Sequence, residues 1–138
     1  MKYLGMVIKE TLTLYTPIPL IGRKLENDVD WNGVALPKGL MILICFQCVH
    51  QSIDYWGEEF ETFDPEHFNI ENNKNRHAYA YVPFSAGTRN CLKYAMVELK
   101  SIIATSLRRL EVFPVHPDKD VILKCPIMLK PINGDNSA

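Results

Sequence analysis

Eight apolar side chains, Leu92, Ala95, Met96, Leu99, Ile102, Ile103, Leu107 and Leu110, recur at three- and four-residue spacing. On a helix they make one stripe, with Lys93, Glu98, Lys100, Arg108 and Arg109 on the other side. Such a stripe implies a neighbouring core, so the rest of the chain is read for what covers it. A second periodic run, Leu4, Val7, Ile8 and Leu12, predicts a first helix that Pro17 and Pro19 stop. No Ser, Thr, Asp or Asn stands before Leu4 to cap it. A helix already running at its first residues makes the sequence read as a piece of something longer.

Between the helices the signals are those of short strands. Val29 and Trp31 flank Asp30, Asn32-Gly33 follows, and then comes Val34-Ala35-Leu36, a strong hairpin pattern. Pro37-Lys38-Gly39 makes another turn, and residues 40–46 are apolar without a break, which predicts a strand buried on both faces. Residues 54–80 are rich in Asn, Glu, Asp and aromatic residues with no sustained period. They read as a long ordered meander without elements of its own, pinned by Trp56, Phe60, Phe63 and Phe68. After Pro114 and Pro117, residues 121–123 and 127–129 read as short strands, and the polar tail 133–138 as frayed.

The charge balance excludes one class of function. Fifteen Lys and Arg face sixteen Asp and Glu, for a formal charge of −1, without the clustered basic surplus that nucleic acid demands. The longest apolar run, seven residues at 40–46, falls far short of the roughly 20 that a membrane-spanning helix needs. No membrane anchor is therefore expected within the chain. The first ten residues carry Glu10 and no small-residue cleavage site, unlike a secretory signal. Four cysteines (Cys45, Cys48, Cys91 and Cys125) do not make a disulfide scaffold at this length, so reduced thiols are expected. Cys45-Phe-Gln-Cys48-Val-His50 lacks the His directly after the second Cys that covalent haem attachment needs. It also lacks two further ligands for zinc, so a structural role is expected.

The chemistry concentrates in Pro83-Phe84-Ser85-Ala86-Gly87-Thr88-Arg89-Asn90-Cys91, just ahead of the striped helix. This places Cys91 at a helix N-terminus, two residues after Arg89. Dipole and cation both favour thiolate, the metal-binding form. Gly87 permits a tight turn, and Phe84 can shield the sulfur from water.

Phe84-x-x-Gly87-x-Arg89-x-Cys91 resembles the haem-binding loop of the cytochrome P-450 superfamily. Lys9-Glu10-Thr11-Leu12 is similar to the start of that family's K-helix signature. Pro37-Lys38-Gly39, the segment around His50, and Phe63-Asp64-Pro65-Glu66-His67-Phe68 resemble the motifs that follow it, in order and spacing. Ile8-Lys9-Glu10-Thr11-Leu12 and Ile21-Gly22-Arg23 are similar to the family-four branch, which includes fatty-acid hydroxylases and many insect members. The resemblance covers essentially all of residues 1–138, as a partial domain, and matches the last quarter to third of such an enzyme. It implies an α+β fold: the C-terminal part of a mostly α architecture, with K helix, small strands, meander, cysteine loop, long L helix and terminal β-hairpin.

What the resemblance implies can be written residue by residue. Cys91 matches the axial thiolate of a haem b iron, which pushes electron density toward O–O cleavage. Phe84 and Gly87 match the loop against that sulfur. Arg89 and Arg23 match cations that pair with the haem propionates, a task suited to a bidentate guanidinium. Pro17, Ile18, Pro19 and Leu20 match a segment skirting the substrate pocket, and residues 131–135 match a second one. The implied reaction inserts one atom of O2 into a lipophilic small molecule, with electrons from an NADPH-dependent reductase, on the endoplasmic reticulum membrane. Lys100, Arg108 and Arg109 are candidates to face an acidic redox partner.

Departures are part of the pattern. The family's Glu-x-x-Arg puts both side chains on one helix face, but Thr13 stands at the arginine position after Glu10. His67 replaces the meander arginine, Lys93 a glycine after Cys91, and Gln51-Ser52 the usual Arg-Asp. Glu10, Thr13 and His67 are thus structural candidates in a network expected to have lost both guanidinium groups. The oxygen-activating helix and distal wall of the pocket have no counterpart in the sequence, so the isolated chain is expected not to turn over. The alternative is a non-catalytic remnant with at most haem binding.

Overall fold

The structure is a computed structural model describing residues 1–86, 92–113, 123–124, 128 and 130–131. Helix α1 spans Lys2–Leu14 and is followed by strand β1, Leu20–Lys24. The hairpin strands β2, Val29–Trp31, and β3, Val34–Leu36, come next, then β4, Met41–Cys45. Helices α2, Phe46–His50, and α3, Ile53–Trp56, lead to a 3₁₀ turn at Pro65–Phe68. Helix α4 runs from Leu92 to Leu107, and β5, Leu123–Lys124, and β6, Lys130–Pro131, close the order.

Local chemistry accounts for these boundaries. Helix α1 starts without a side-chain cap and ends at Tyr15, before the two prolines. The hairpin turn places Asn32 at φ 51° and Gly33 at φ 83°, the left-handed pair that a tight two-residue turn requires. Asp30 Oδ1 accepts from the Gly33 N–H at 3.0 Å.

Three two-stranded antiparallel sheets form: β1 with β4, β2 with β3, and β5 with β6. In the first, Leu20 opposes Cys45 and Arg23 opposes Ile42. Residues 41–45 form the expected strand, but it is not buried on both faces. Leu43 is 70% exposed, and Met41 and Ile44 are also exposed, because among the described residues β1 is its sole partner strand.

The meander is not free of elements: α3 and the 3₁₀ turn punctuate it. Trp56 and Phe68 are buried there with Met6 of α1, and Phe60 and Tyr81 pack against them. Phe63, expected as a fourth pin, is exposed. The α4 stripe is only half covered: Ile102, Leu107 and Leu110 are exposed, and the helix ends three residues before Leu110. Its contact with α1 runs past Gly5, where an added Cβ would sit 3.0 Å from the Lys100 side chain. Of the expected terminal strands 121–123 and 127–129, all but Leu123 and Met128 lie outside the described residues; among those described, Leu123–Lys124 pairs with Lys130–Pro131.

Candidate functional site

A cavity of about 350 Å³ opens between the first sheet and the loop that leads toward Cys91. Its walls are Ile18, Ile21, Phe46, Pro83, Phe84 and Ser85, and among the described residues Arg23 is the single cation lining it. Ile21 and Arg23 are two apart on β1 and so share a face. The segment from α1 supplies Ile18, and Phe46 opens α2. Ser85 takes φ 64°, rare for a residue with a side chain, and its N–H donates to Val82 O at 3.2 Å. That turn bends the loop after Phe84. Arg23 donates from Nη1 to Gly22 O at 2.9 Å, and among the described residues no carboxylate pairs with it.

Behind the Phe84 wall lies a polar clamp. His50 is 0% exposed, as is Thr16. The Val82 N–H donates to His50 Nε2 at 2.9 Å, and His50 Nδ1 lies 2.7 Å from Thr16 Oγ1. Because Nε2 accepts, the hydrogen-bond pattern assigns the neutral ring proton to Nδ1, which donates to Thr16. The Thr16 hydroxyl passes its own proton to Leu12 O at 3.2 Å. One imidazole thus ties the end of α1 to the residue before Pro83-Phe84. Burial pushes the His50 pKa down to about 4, favouring this neutral form.

A second polar cluster sits under the meander. Glu10 is 1% exposed. Its Oε1 accepts from the Asp64 N–H at 3.2 Å and lies 3.1 Å from His67 Nδ1. Its Oε2 is buried with no hydrogen-bond partner among the described residues. Thr13 does not turn toward it; the Thr13 hydroxyl donates to Lys9 O at 3.0 Å. Among the described residues no guanidinium bonds to Glu10, though Arg76 stands in the same cluster. Arg76 lies 4.0 Å over the Trp56 ring and donates from Nη1 to His67 O at 2.9 Å. Burial lowers its pKa while the charge of Glu10 acts in the opposite direction, so a cation stands one layer behind the carboxylate. Burial first, then Glu10, raises the Tyr81 pKa.

The sequence candidates fall into three groups. Ile18, Arg23 and Phe84 share the cavity; Pro17, Pro19 and Leu20 flank Ile18 without lining it. Glu10 and His67 meet, and Thr13 stays apart. Gly87, Arg89 and Cys91 lie outside the described residues, as does most of 131–135. Sequence reading missed Arg76, Thr16, Phe46 and Tyr81. Nothing in the sequence around Thr16 announces a partner 34 residues away. Another correction concerns Cys45 and Cys48, whose sulfurs are joined rather than kept as separate thiols. They do not point apart as in a continuous strand, because β4 ends at Cys45 and Cys48 lies on α2.

Apolar walls around Arg23, beside a loop that continues in sequence to Cys91, are the described part of the site, and the comparisons give its class. The family model described as Cytochrome P450 matches residues 1–135, and the chain belongs to that family. Its similarity is to family-four members. It is 41% identical over 140 residues to "Cytochrome P450 4g1" of Drosophila melanogaster, covering 99% of this chain and 25% of that protein. It is 41% identical to "Probable cytochrome P450 4p2" of the same fly, covering 94% of this chain and 25% of that protein. To "Cytochrome P450 4V2" of Mus musculus it is 40% identical, covering 97% and 26%. The chain thus spans about a quarter of the length of these curated relatives.

Family membership implies haem-thiolate monooxygenase chemistry at the level of the family, and with it a haem. The described residues fit part of that group's needs. Ile18, Ile21, Phe46, Pro83 and Phe84 offer apolar surface, and Arg23 offers a cation without a carboxylate partner. Among the described residues no group of His, Cys, Asp and Glu could hold a bare metal ion. Nor is any helix there long and apolar enough to cross a membrane.

Proposed function

We propose that this chain supplies the proximal wall of a haem-thiolate monooxygenase site. The observation that carries the reading is the cavity in which Arg23 and Phe84 face common space, on the loop that continues to Cys91. In this reading Cys91 is the axial thiolate, and Phe84 and Gly87 keep water from its sulfur. Arg23 and Arg89 pair with the propionates, and Pro17, Ile18, Pro19 and Leu20 border the substrate. A thiolate held dry by a phenyl ring is a strong electron donor, which is the property the chemistry requires. When bound, the haem supplies oxygen transfer to a lipophilic substrate, with electrons from an NADPH-dependent reductase at the endoplasmic reticulum membrane. The protein's own contribution is orientation: His50 fixes the Val82 N–H, and Val82 leads into Pro83-Phe84.

A second reading, a remnant that binds haem without turnover, draws on one observation. Glu10 Oε2 is buried and has no hydrogen-bond partner among the described residues. The spectrum of the ferrous carbonyl complex, taken on the 138-residue chain with added haem, tests the first reading. A Soret band shifted far to the red, lost in Cys91→Ala and weakened in Arg23→Ala, is the expected result. An unshifted band in the parent chain would overturn thiolate ligation.

A further inference from the structure

We propose that Cys45 and Cys48 form a reversible dithiol–disulfide site that sets the wall of the cavity beneath Phe84. The two sulfurs are bonded, and their Cα atoms are 5.4 Å apart, inside the range a disulfide spans without backbone movement. Cys48 is exposed and Cys45 half-buried, so a small thiol reaches the bond. The Cys48 N–H donates to Cys45 Sγ at 3.2 Å. The closed loop contains just Phe46 and Gln47, and a loop this short gains little chain-entropy stabilisation. Its disulfide is therefore held less firmly against reduction than one closing a long loop, and a thiol pool can act on it.

The bond sits where its state matters. Phe46, between the two cysteines, lines the cavity. The Phe46 and Gln47 N–H groups both donate to Pro19 O, at 2.8 and 3.4 Å, and Gln47 Nε2 donates to Leu14 O at 3.2 Å. Two residues past Cys48, His50 holds Val82 and Thr16. Oxidation pins the first turn of α2 to the end of β4; reduction frees it, loosening Phe46 and the His50 clamp together.

The exchange is balanced by glutathione. A glutathione thiolate attacks the exposed Cys48 sulfur, the protein S–S bond breaks, and Cys45 leaves as thiolate and takes a proton. A second glutathione resolves the mixed disulfide. One protein disulfide and two glutathione thiols become two protein thiols and one glutathione disulfide, with two electrons transferred.

The thiol chemistry stands apart from the haem reading and is tested without haem. The full chain is equilibrated in glutathione buffers, quenched, alkylated and digested with trypsin. Cleavage after Lys38 and Lys74 yields a peptide containing Cys45 and Cys48 and no other cysteine. The expected result is a ratio of dithiol to disulfide that rises tenfold for each tenfold rise in [GSH]²/[GSSG]. Two alkyl groups under fully oxidising buffer, or none under fully reducing buffer, would overturn reversibility. Hydrogen exchange at the Val82 amide, followed by NMR, tests the coupling. Exchange is expected to quicken roughly fivefold or more on reduction. Cys48→Ser should show the quick rate in either buffer. An exchange rate indifferent to both would overturn the role in the cavity wall.

Discussion

Two buried polar clusters, one around His50 and one around Glu10, solve the same problem to different degrees. His50 uses both ring nitrogens, one accepting from Val82 N–H and one bonded to Thr16, and Thr16 hands its proton on to α1. Glu10 satisfies Oε1 twice and, among the described residues, leaves Oε2 without a partner. A line of rings joins the clusters: Trp56 to Phe68 at 5.4 Å, Phe68 to Tyr81 at 4.9 Å, and Tyr81 to His50 at 5.7 Å. The neutral clamp is complete, and among the described residues the charged one is not. A buried neutral network costs little once every member is paired, whereas a buried carboxylate demands a cation or several donors. His67 makes one contact to Glu10, where a guanidinium fork could reach both oxygens.

The comparison breaks most visibly at His50. In His50→Leu the buried Val82 N–H and Thr16 hydroxyl lose their partner at once, for an expected loss of roughly 3–4 kcal/mol in urea unfolding. A loss under about 1 kcal/mol would show that the clamp carries no such weight. His67→Ala takes away the one side chain among the described residues that bonds to Glu10. It should cost about 3 kcal/mol, less than a fully buried pair would, because Arg76 stays close to the carboxylate.

Acidification acts on the His50 cluster with a definite sign. The folded-state pKa of His50 is depressed to about 4, below the unfolded value of about 6.5, so the unfolded chain binds the extra proton. The contribution of His50 is complete above about pH 6.5 and is lost as the pH falls toward 4, by on the order of 2–3 kcal/mol. Urea midpoints across that window should fall for the parent chain and fall less for His50→Leu. Equal slopes would place the pH dependence elsewhere.

Much of this was legible in the residues, and the boundary is instructive. Asn32-Gly33 predicted its hairpin because the turn's left-handed φ pair is a local demand that few residues meet. Helix α1 and its stop came from spacing and two prolines, and helix α4 from its stripe. The burial of residues 41–45 could not be read that way. An apolar run reports what a strand could bury, and among the described residues only β1 pairs with β4, leaving Leu43 exposed. At the site, Arg23 and Phe84 were expected from a resemblance and do share a cavity. Arg76 escaped because its partners are rings and a backbone carbonyl, which leave no charge pattern in the sequence. The Cys45–Cys48 pair escaped because its geometry depends on a strand ending one residue earlier than the apolar run does.

Glu10 holds one satisfied oxygen and, among the described residues, one without a partner, while the neighbouring Thr13 hydroxyl turns away to Lys9 O. The measurement is a double-mutant cycle on unfolding free energy: Thr13→Arg in the parent chain, and again in a Glu10→Gln background. The account predicts a gain of about 1–2 kcal/mol in the parent that disappears when Glu10 is neutral. A gain of the same size in both backgrounds, or none in the parent, would contradict it.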